Sequence, residues 1–112
     1  MEKAAVRQGR RFLDRIFTPG ERAYCESKRM KYEHYAARLA AKEAVLKAIG
    51  IREKNHGRLR EIELRRKATG KPFLILSAAA RKHFKLPSKF QIEVSVAHER
   101  EHAIASVLLI LP

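Results

Sequence analysis

The sequence predicts an α+β domain with its helices first and its strands after. Two observations carry this reading: apolar residues recur with a helical period up to Gly50, and from Arg60 onward they alternate with a period of two. A chain that finishes its helices before starting its strands stacks one layer on the other, and does not weave a doubly wound sheet. The 112 residues suit one domain, 1–112, large enough for a modest core without staples.

Residues 3–17 read as the first helix, with Ala5, Phe12, Leu13, Ile16 and Phe17 apolar and Arg7, Arg10, Arg11 and Arg15 charged. Thr18-Pro19-Gly20-Glu21 starts the second: Thr18 is placed to cap, Pro19 suits the first helical position, and Glu21 completes a capping box. That helix runs to about Arg29. The third covers Tyr32 to Gly50, where glycine supplies a left-handed terminator. Ile51 to Leu59, rich in Arg, Lys, Asn, His and Gly, is a basic loop whose Arg52, Lys54 and Arg58 serve equally well as solvated or ligand-binding cations.

Ile62 and Leu64 then alternate with Glu61, Glu63 and Arg65 as a strand, Thr69-Gly70-Lys71-Pro72 turns, and Phe73 to Leu76 returns as the second arm of a hairpin. Ser77 caps a short helix to about Phe84, which Leu86-Pro87-Ser88 breaks. Phe90, Ile92, Val94 and Val96 form the next strand. After a turn at His98 to Glu101, Ala103 to Leu111 are almost continuously apolar, a composition that predicts burial on both faces and a central place in the sheet. Only about four strands surround that place, as though one were missing.

Charge narrows the function. The 25 Lys and Arg against 12 Asp and Glu leave +13, beyond what solubility asks for, so the partner is expected to be an anion. Nucleic acid, an anionic membrane surface, and an acidic protein together with a phosphorylated small molecule all fit that charge. A single cysteine, Cys25, excludes an intrachain disulfide framework and a Cys-rich zinc site, and suits a reducing cytoplasm. No signal-type apolar segment and no run approaching ~18 apolar residues is present, so a soluble, non-secreted protein is expected. Zinc-finger spacing, an RNP-like aromatic cluster and a helix-turn-helix are all lacking, which weighs against a small nucleic-acid-binding module, the main alternative from a different class.

The third helix carries the chemistry. At ~100° per residue, Tyr32, Tyr35, Leu39, Leu46 and Ile49 make one apolar stripe, and Glu43 falls about 40° from its centre. A carboxylate on a buried face needs a cation, and Lys47 lies one turn on. Glu43 and Lys47 are therefore either a structural ion pair or a metal ligand beside a phosphate-binding lysine.

Read together, Phe12 to Thr18 with Glu21 and Tyr24-Cys25, then Arg38-Leu39-Ala40-Ala41-Lys42-Glu43-Ala44-Val45-Leu46-Lys47-Ala48-Ile49-Gly50, then Glu61-Ile62-Glu63, Gly70-Lys71-Pro72 and Val94-Ser95-Val96-Ala97-His98-Glu99 resemble the holo-acyl-carrier-protein synthases, members of the 4′-phosphopantetheinyl transferases. The resemblance covers nearly the whole chain, and its most specific part is the Lys-Glu-Ala-x-x-Lys helix. It implies the 4′-phosphopantetheinyl transferase fold, N-terminal helices packed on an antiparallel sheet. It also implies magnesium-dependent transfer of the phosphopantetheine arm of coenzyme A to a serine of an apo-acyl carrier protein, with 3′,5′-ADP released, for fatty acid biosynthesis in the cytoplasm.

On that resemblance Glu43 holds Mg²⁺ and acts in catalysis with Lys47, which meets the pyrophosphate. Lys42, Gly70, Lys71 and Pro72 border the coenzyme A, and the region of His98 meets the 3′-phosphate of the nucleotide. Acyl carrier proteins are acidic, so Arg7, Arg11 and Arg15 are expected to seat one, with neither nucleic acid nor membrane as partner. A homotrimer with a shared site is also implied, the Lys42-Glu43-Lys47 helix of one subunit facing the His98 region of another.

Three departures from the family pattern look tolerable: Ala97 before the histidine, Leu59 in place of an aromatic, and Glu61 in place of Asp. The larger one is at the start. Family members open with a Gly-x-Asp-x-x-x-x-x-Arg-Ile strand whose Asp is the second metal ligand, and this chain opens at Met1-Glu2-Lys3-Ala4-Ala5, where that strand would have ended. Asp14, on the first helix, is not its equivalent. A shortened or misassigned start is the expectation; the alternative is an impaired member that binds metal poorly, or binds only coenzyme A or carrier protein.

Overall fold

A computed structural model describes residues 1–51, 58–99 and 102–112. Among these residues five α-helices and four strands run in the order α1 (Glu2–Gln8), α2 (Arg10–Ile16), α3 (Pro19–Glu26), α4 (Lys31–Ile49), β1 (Ile62–Arg66), β2 (Pro72–Leu76), α5 (Ala78–His83), β3 (Gln91–Glu99) and β4 (His102–Ile110), with a 3-10 turn at Leu59–Glu61. The helices-then-strands order is the one expected.

Gly9 corrects the first helix. At φ 72° and ψ −157° it leaves helical space, so α1 and α2 are separate helices, and the single helix read over 3–17 does not form. Only glycine takes that conformation without a Cβ penalty. At Thr18 the capping box is complete: the Thr18 hydroxyl accepts from the Glu21 amide at 3.1 Å, and the Thr18 amide donates to Glu21 Oε1 at 3.0 Å. Helix α4 ends as read, with Gly50 at φ 88° satisfying the last turn. Ser77 caps α5 by accepting from the Ala80 amide at 3.0 Å.

The strands make two antiparallel pairs, β1 with β2 in the register Ile62 opposite Leu76, and β3 with β4 in the register Ser95 opposite Ser106. Strand β2 lies beside β3 without pairing to it. Helix α4 runs under the β3–β4 hairpin, whose inner side chains Ile92, Val94, Val96 and Val107 close over the core of Phe12, Ile16, Phe17, Tyr35, Val45, Leu59, Ile62 and Leu64. Each fully buried aliphatic or aromatic side chain there contributes ~1.5–3 kcal/mol.

Strand β4 departs from expectation. Its side chains alternate inward and outward, and Ile104, Leu108 and Ile110 are 69%, 60% and 43% exposed. Among the described residues it pairs only with β3, so it is not central there, and no described element lies against its outer face. Among the described residues no helix is long and apolar enough to cross a membrane.

Candidate active site

Helix α4 organises the site, and its orientation differs from the one its apolar residues predict. The buried positions are Tyr35, Ala37, Arg38, Ala41, Lys42, Val45 and Leu46. At ~100° per residue their arc centres roughly 150° from Glu43, so Glu43 and Lys47 project from the exposed side, about 40° apart. The expectation that Glu43 is buried is wrong for a specific reason: small residues and two cations, not the large apolar ones alone, face the core. The structural ion-pair reading needed that burial and falls with it.

Lys42 is the buried charge. Its side chain is 0% exposed, its ammonium lies 2.7 Å from Glu21 Oε1, and it also donates to the carbonyls of Leu59, at 2.8 Å, and Ile62. Three protons thus meet three acceptors inside the protein, leaving none for a ligand. Burial pushes this lysine below its ordinary range, and Glu21 opposes that only in part. Glu21, 1% exposed, also accepts from the Leu64 amide at 3.0 Å, so the pair joins α3, α4 and β1. As the residue immediately before Glu43, Lys42 fixes which way α4 is turned. The capping box exposed the first role of Glu21 in the sequence; nothing in the sequence gave its second.

His98, near the end of β3, is half-buried and packs edge to face on His34 of α4, with ring centroids 4.7 Å apart. One helical turn on, Arg38 is 1% exposed and lies over the Tyr24 ring at 4.1 Å. Its Nε and Nη1 are buried without a hydrogen-bond partner among the described residues, as are Nδ1 of His34 and of His98. Buried donors left unpaired are costly, and a cluster of them is suited to an anion. Sequence reasoning named His98 and missed His34 and Arg38. The spacing of His34, Arg38 and Lys42, each four residues apart, was the available signal for a polar buried face.

Gly70, at φ 91°, turns the β1–β2 hairpin, and its carbonyl accepts from Arg66 Nη1 at 2.9 Å. Lys71 is exposed, and Pro72 opens β2. Arg66 has a buried Nε without a partner among the described residues, and its charge bears on His34. Arg7 projects from α1, and Arg11 and Arg15 from α2, all exposed. Asp14 is held by Arg22 in an ion pair between α2 and α3. Arg58 is paired with Glu61 at 2.8 Å, whereas Arg52 and Lys54 lie outside the described residues.

The structure does not bring all the expected site residues together within one chain. His34 and Glu43 are roughly 180° apart around α4 and about 13 Å apart along it. His98 goes with His34, and Glu43 goes with Lys47. Among the described residues no three His, Cys, Asp or Glu side chains group to hold a metal.

The chain is a small basic α+β protein with unpartnered buried nitrogens of His34, Arg38 and His98 at one side of α4 and the exposed Glu43 and Lys47 at the other, groups of the kind that suit a phosphate and its counter-ion. Residues 1–107 match the 4′-phosphopantetheinyl transferase superfamily, and the chain belongs to that family. A holo-[acyl-carrier-protein] synthase from Solibacter usitatus is 39% identical over 109 residues, covering 97% of this chain and 87% of that protein. The solved holo-[acyl-carrier-protein] synthase of Helicobacter pylori, in complex with coenzyme A, is 27% identical with a TM-score of 0.77 over 96% of this chain and 89% of that one. That of Bacillus anthracis, in complex with CoA (3′,5′-ADP), is 32% identical with a TM-score of 0.74 over 91% and 82%.

Proposed function

We propose that this protein transfers the 4′-phosphopantetheine group of coenzyme A to a serine of an apo-acyl carrier protein, releasing 3′,5′-ADP. The observation that carries the reading is Arg38, almost wholly buried over the Tyr24 ring, with two guanidinium nitrogens that have no partner among the described residues, one helical turn from the His34 that packs on His98. Such a group fits a phosphate, here the 3′-phosphate of the nucleotide. Its relatives in complex with coenzyme A and with 3′,5′-ADP support that ligand class.

In the transfer the serine hydroxyl gives up its proton to solvent and its oxygen bonds to the β-phosphorus, while the bond from that phosphorus to the bridging oxygen breaks and the electron pair leaves with that oxygen. The leaving group is the 5′-phosphate of 3′,5′-ADP. Negative charge grows on phosphate oxygens, and the exposed Lys47 ammonium is placed to meet it. Glu43 fits Mg²⁺, which takes one or two carboxylates and fills its shell with water and substrate phosphates. A bound magnesium ion would neutralise the pyrophosphate there. Arg7, Arg11 and Arg15 form the basic surface for an acidic carrier protein.

The shared site is supported by the same geometry. Glu43 and His98 are directed away from each other in one chain, and the exposed apolar face of β4 offers an association surface. A cyclic homotrimer places the Glu43–Lys47 side of one subunit against the His98 region of the next.

The test is transfer to apo-acyl carrier protein followed by intact mass. Wild type with coenzyme A and Mg²⁺ should give the holo form, and Glu43→Gln should lose transfer by a hundredfold or more on the order of oxyanion-type effects, with unchanged thermal stability. A normal rate in Glu43→Gln would remove the carboxylate from the mechanism.

A further inference from the structure

The donors at the N-terminal end of α4 exceed what His98 and Arg38 alone would present to a phosphate. His34 stands among them, its ring edge to face with His98 and 5.7 Å from the Tyr24 ring, its buried Nδ1 without a partner among the described residues. The charged and titratable groups around it come from five parts of the chain: Tyr24 of α3, Lys28 just beyond α3, Arg38 of α4 itself, and Arg66 and His98 from β1 and β3. Burial first, then His98, Arg38, Lys28 and Arg66, hold its imidazole below the ordinary 6.5.

A neutral imidazole is the form this cationic neighbourhood tolerates. A dianion placed in the cluster reverses the local field, and an imidazolium then has two N–H donors where the neutral ring has one. We propose that His34 is a further phosphate ligand, and that a phosphate monoester dianion seated against Arg38 and His98 draws one proton from solvent onto His34 as it binds. This rests on the coenzyme A reading and adds to it a proton-linked contact on α4. Above neutral pH, where the phosphate remains a dianion, affinity then strengthens as pH falls, by up to about tenfold per pH unit.

The probe is 3′,5′-ADP, with 5′-AMP, which lacks the 3′-phosphate, as the control. Titration calorimetry in buffers of different ionisation enthalpy counts the protons taken up on binding. The expected result between pH 7 and 8.5 is an uptake approaching one proton with 3′,5′-ADP, none with 5′-AMP, and a loss of that uptake in His34→Phe, which keeps the ring packing. The wild type also carries the test without any substitution: the His34 ring resonances should titrate at a higher pH with 3′,5′-ADP bound than without it. Binding without proton uptake, or uptake unchanged in His34→Phe, or a His34 titration that does not move, overturns the proposal while leaving the coenzyme A reading intact. If wild type fails to bind 3′,5′-ADP at all, the coenzyme A reading fails and takes this proposal with it.

Discussion

Replacing Lys42 with methionine removes one half of a fully buried ion pair and leaves the other half in place. Glu21 would keep the Thr18 and Leu64 amides but lose the ammonium 2.7 Å away, and no water reaches it, since neither side chain is exposed. Breaking a buried pair by removing one partner costs about 3–5 kcal/mol. Against a total stability of roughly 5–15 kcal/mol that is about a fifth or more of what holds the protein folded. With a urea m-value of about 2 kcal/mol/M for this size, the unfolding midpoint should fall by roughly 2 M.

The assay is equilibrium urea unfolding of wild type, Lys42→Met, Glu21→Leu and the double variant. The double variant should recover much of the loss, because two apolar side chains no longer leave a buried charge unpaired. A midpoint within about 0.5 M of wild type for Lys42→Met, with 3′,5′-ADP affinity collapsing instead, would return Lys42 to the role of ligand contact.

Arg11→Glu or Arg15→Glu should raise the KM for carrier protein and weaken its salt dependence with little change in kcat, because both guanidinium groups lie on the exposed side of α2; steady-state kinetics at two ionic strengths checks this. His34 titrates below its ordinary 6.5 in the ligand-free fold, so the unfolded chain binds more protons and stability is lost as pH falls through 6.5 toward the folded value. Urea midpoints at pH 8 and pH 5.5 should therefore converge in His34→Phe relative to wild type. Leu108→Asp puts a charge on the 60% exposed outer face of β4 and should convert an assembled species to monomer by light scattering without unfolding it.

Local rules carried most of the fold. The capping box at Thr18, the terminator at Gly50, the Gly70 hairpin and the Ser77 cap each depend on a few adjacent residues, so a sequence displays them. Gly9 was visible too, but the apolar spacing of Phe12 to Phe17 outweighed it. The rotation of α4 was not legible, because it follows from a contact between Lys42 and Glu21 on separate helices, and a buried lysine reads as a surface residue until its acceptors are known. Arg38 was concealed for the same reason. Strand β4 misled in the opposite sense: Ile104, Leu108 and Ile110 imply a covering layer, and in this chain that layer is solvent.

Subunit complementation tests the central claim most directly, since Glu43 and His98 project from the chain in different directions and are proposed to meet only between copies. Glu43→Gln and His98→Ala, each inactive in carrier-protein transfer alone, are unfolded together, refolded as a mixture and assayed. A site built from Glu43 of one subunit and His98 of its neighbour predicts that roughly a quarter of wild-type activity returns, the share of random interfaces that pair two intact halves. A mixture as inactive as its parts, beside an active wild type refolded in the same way, would place the whole site within one chain and contradict the account.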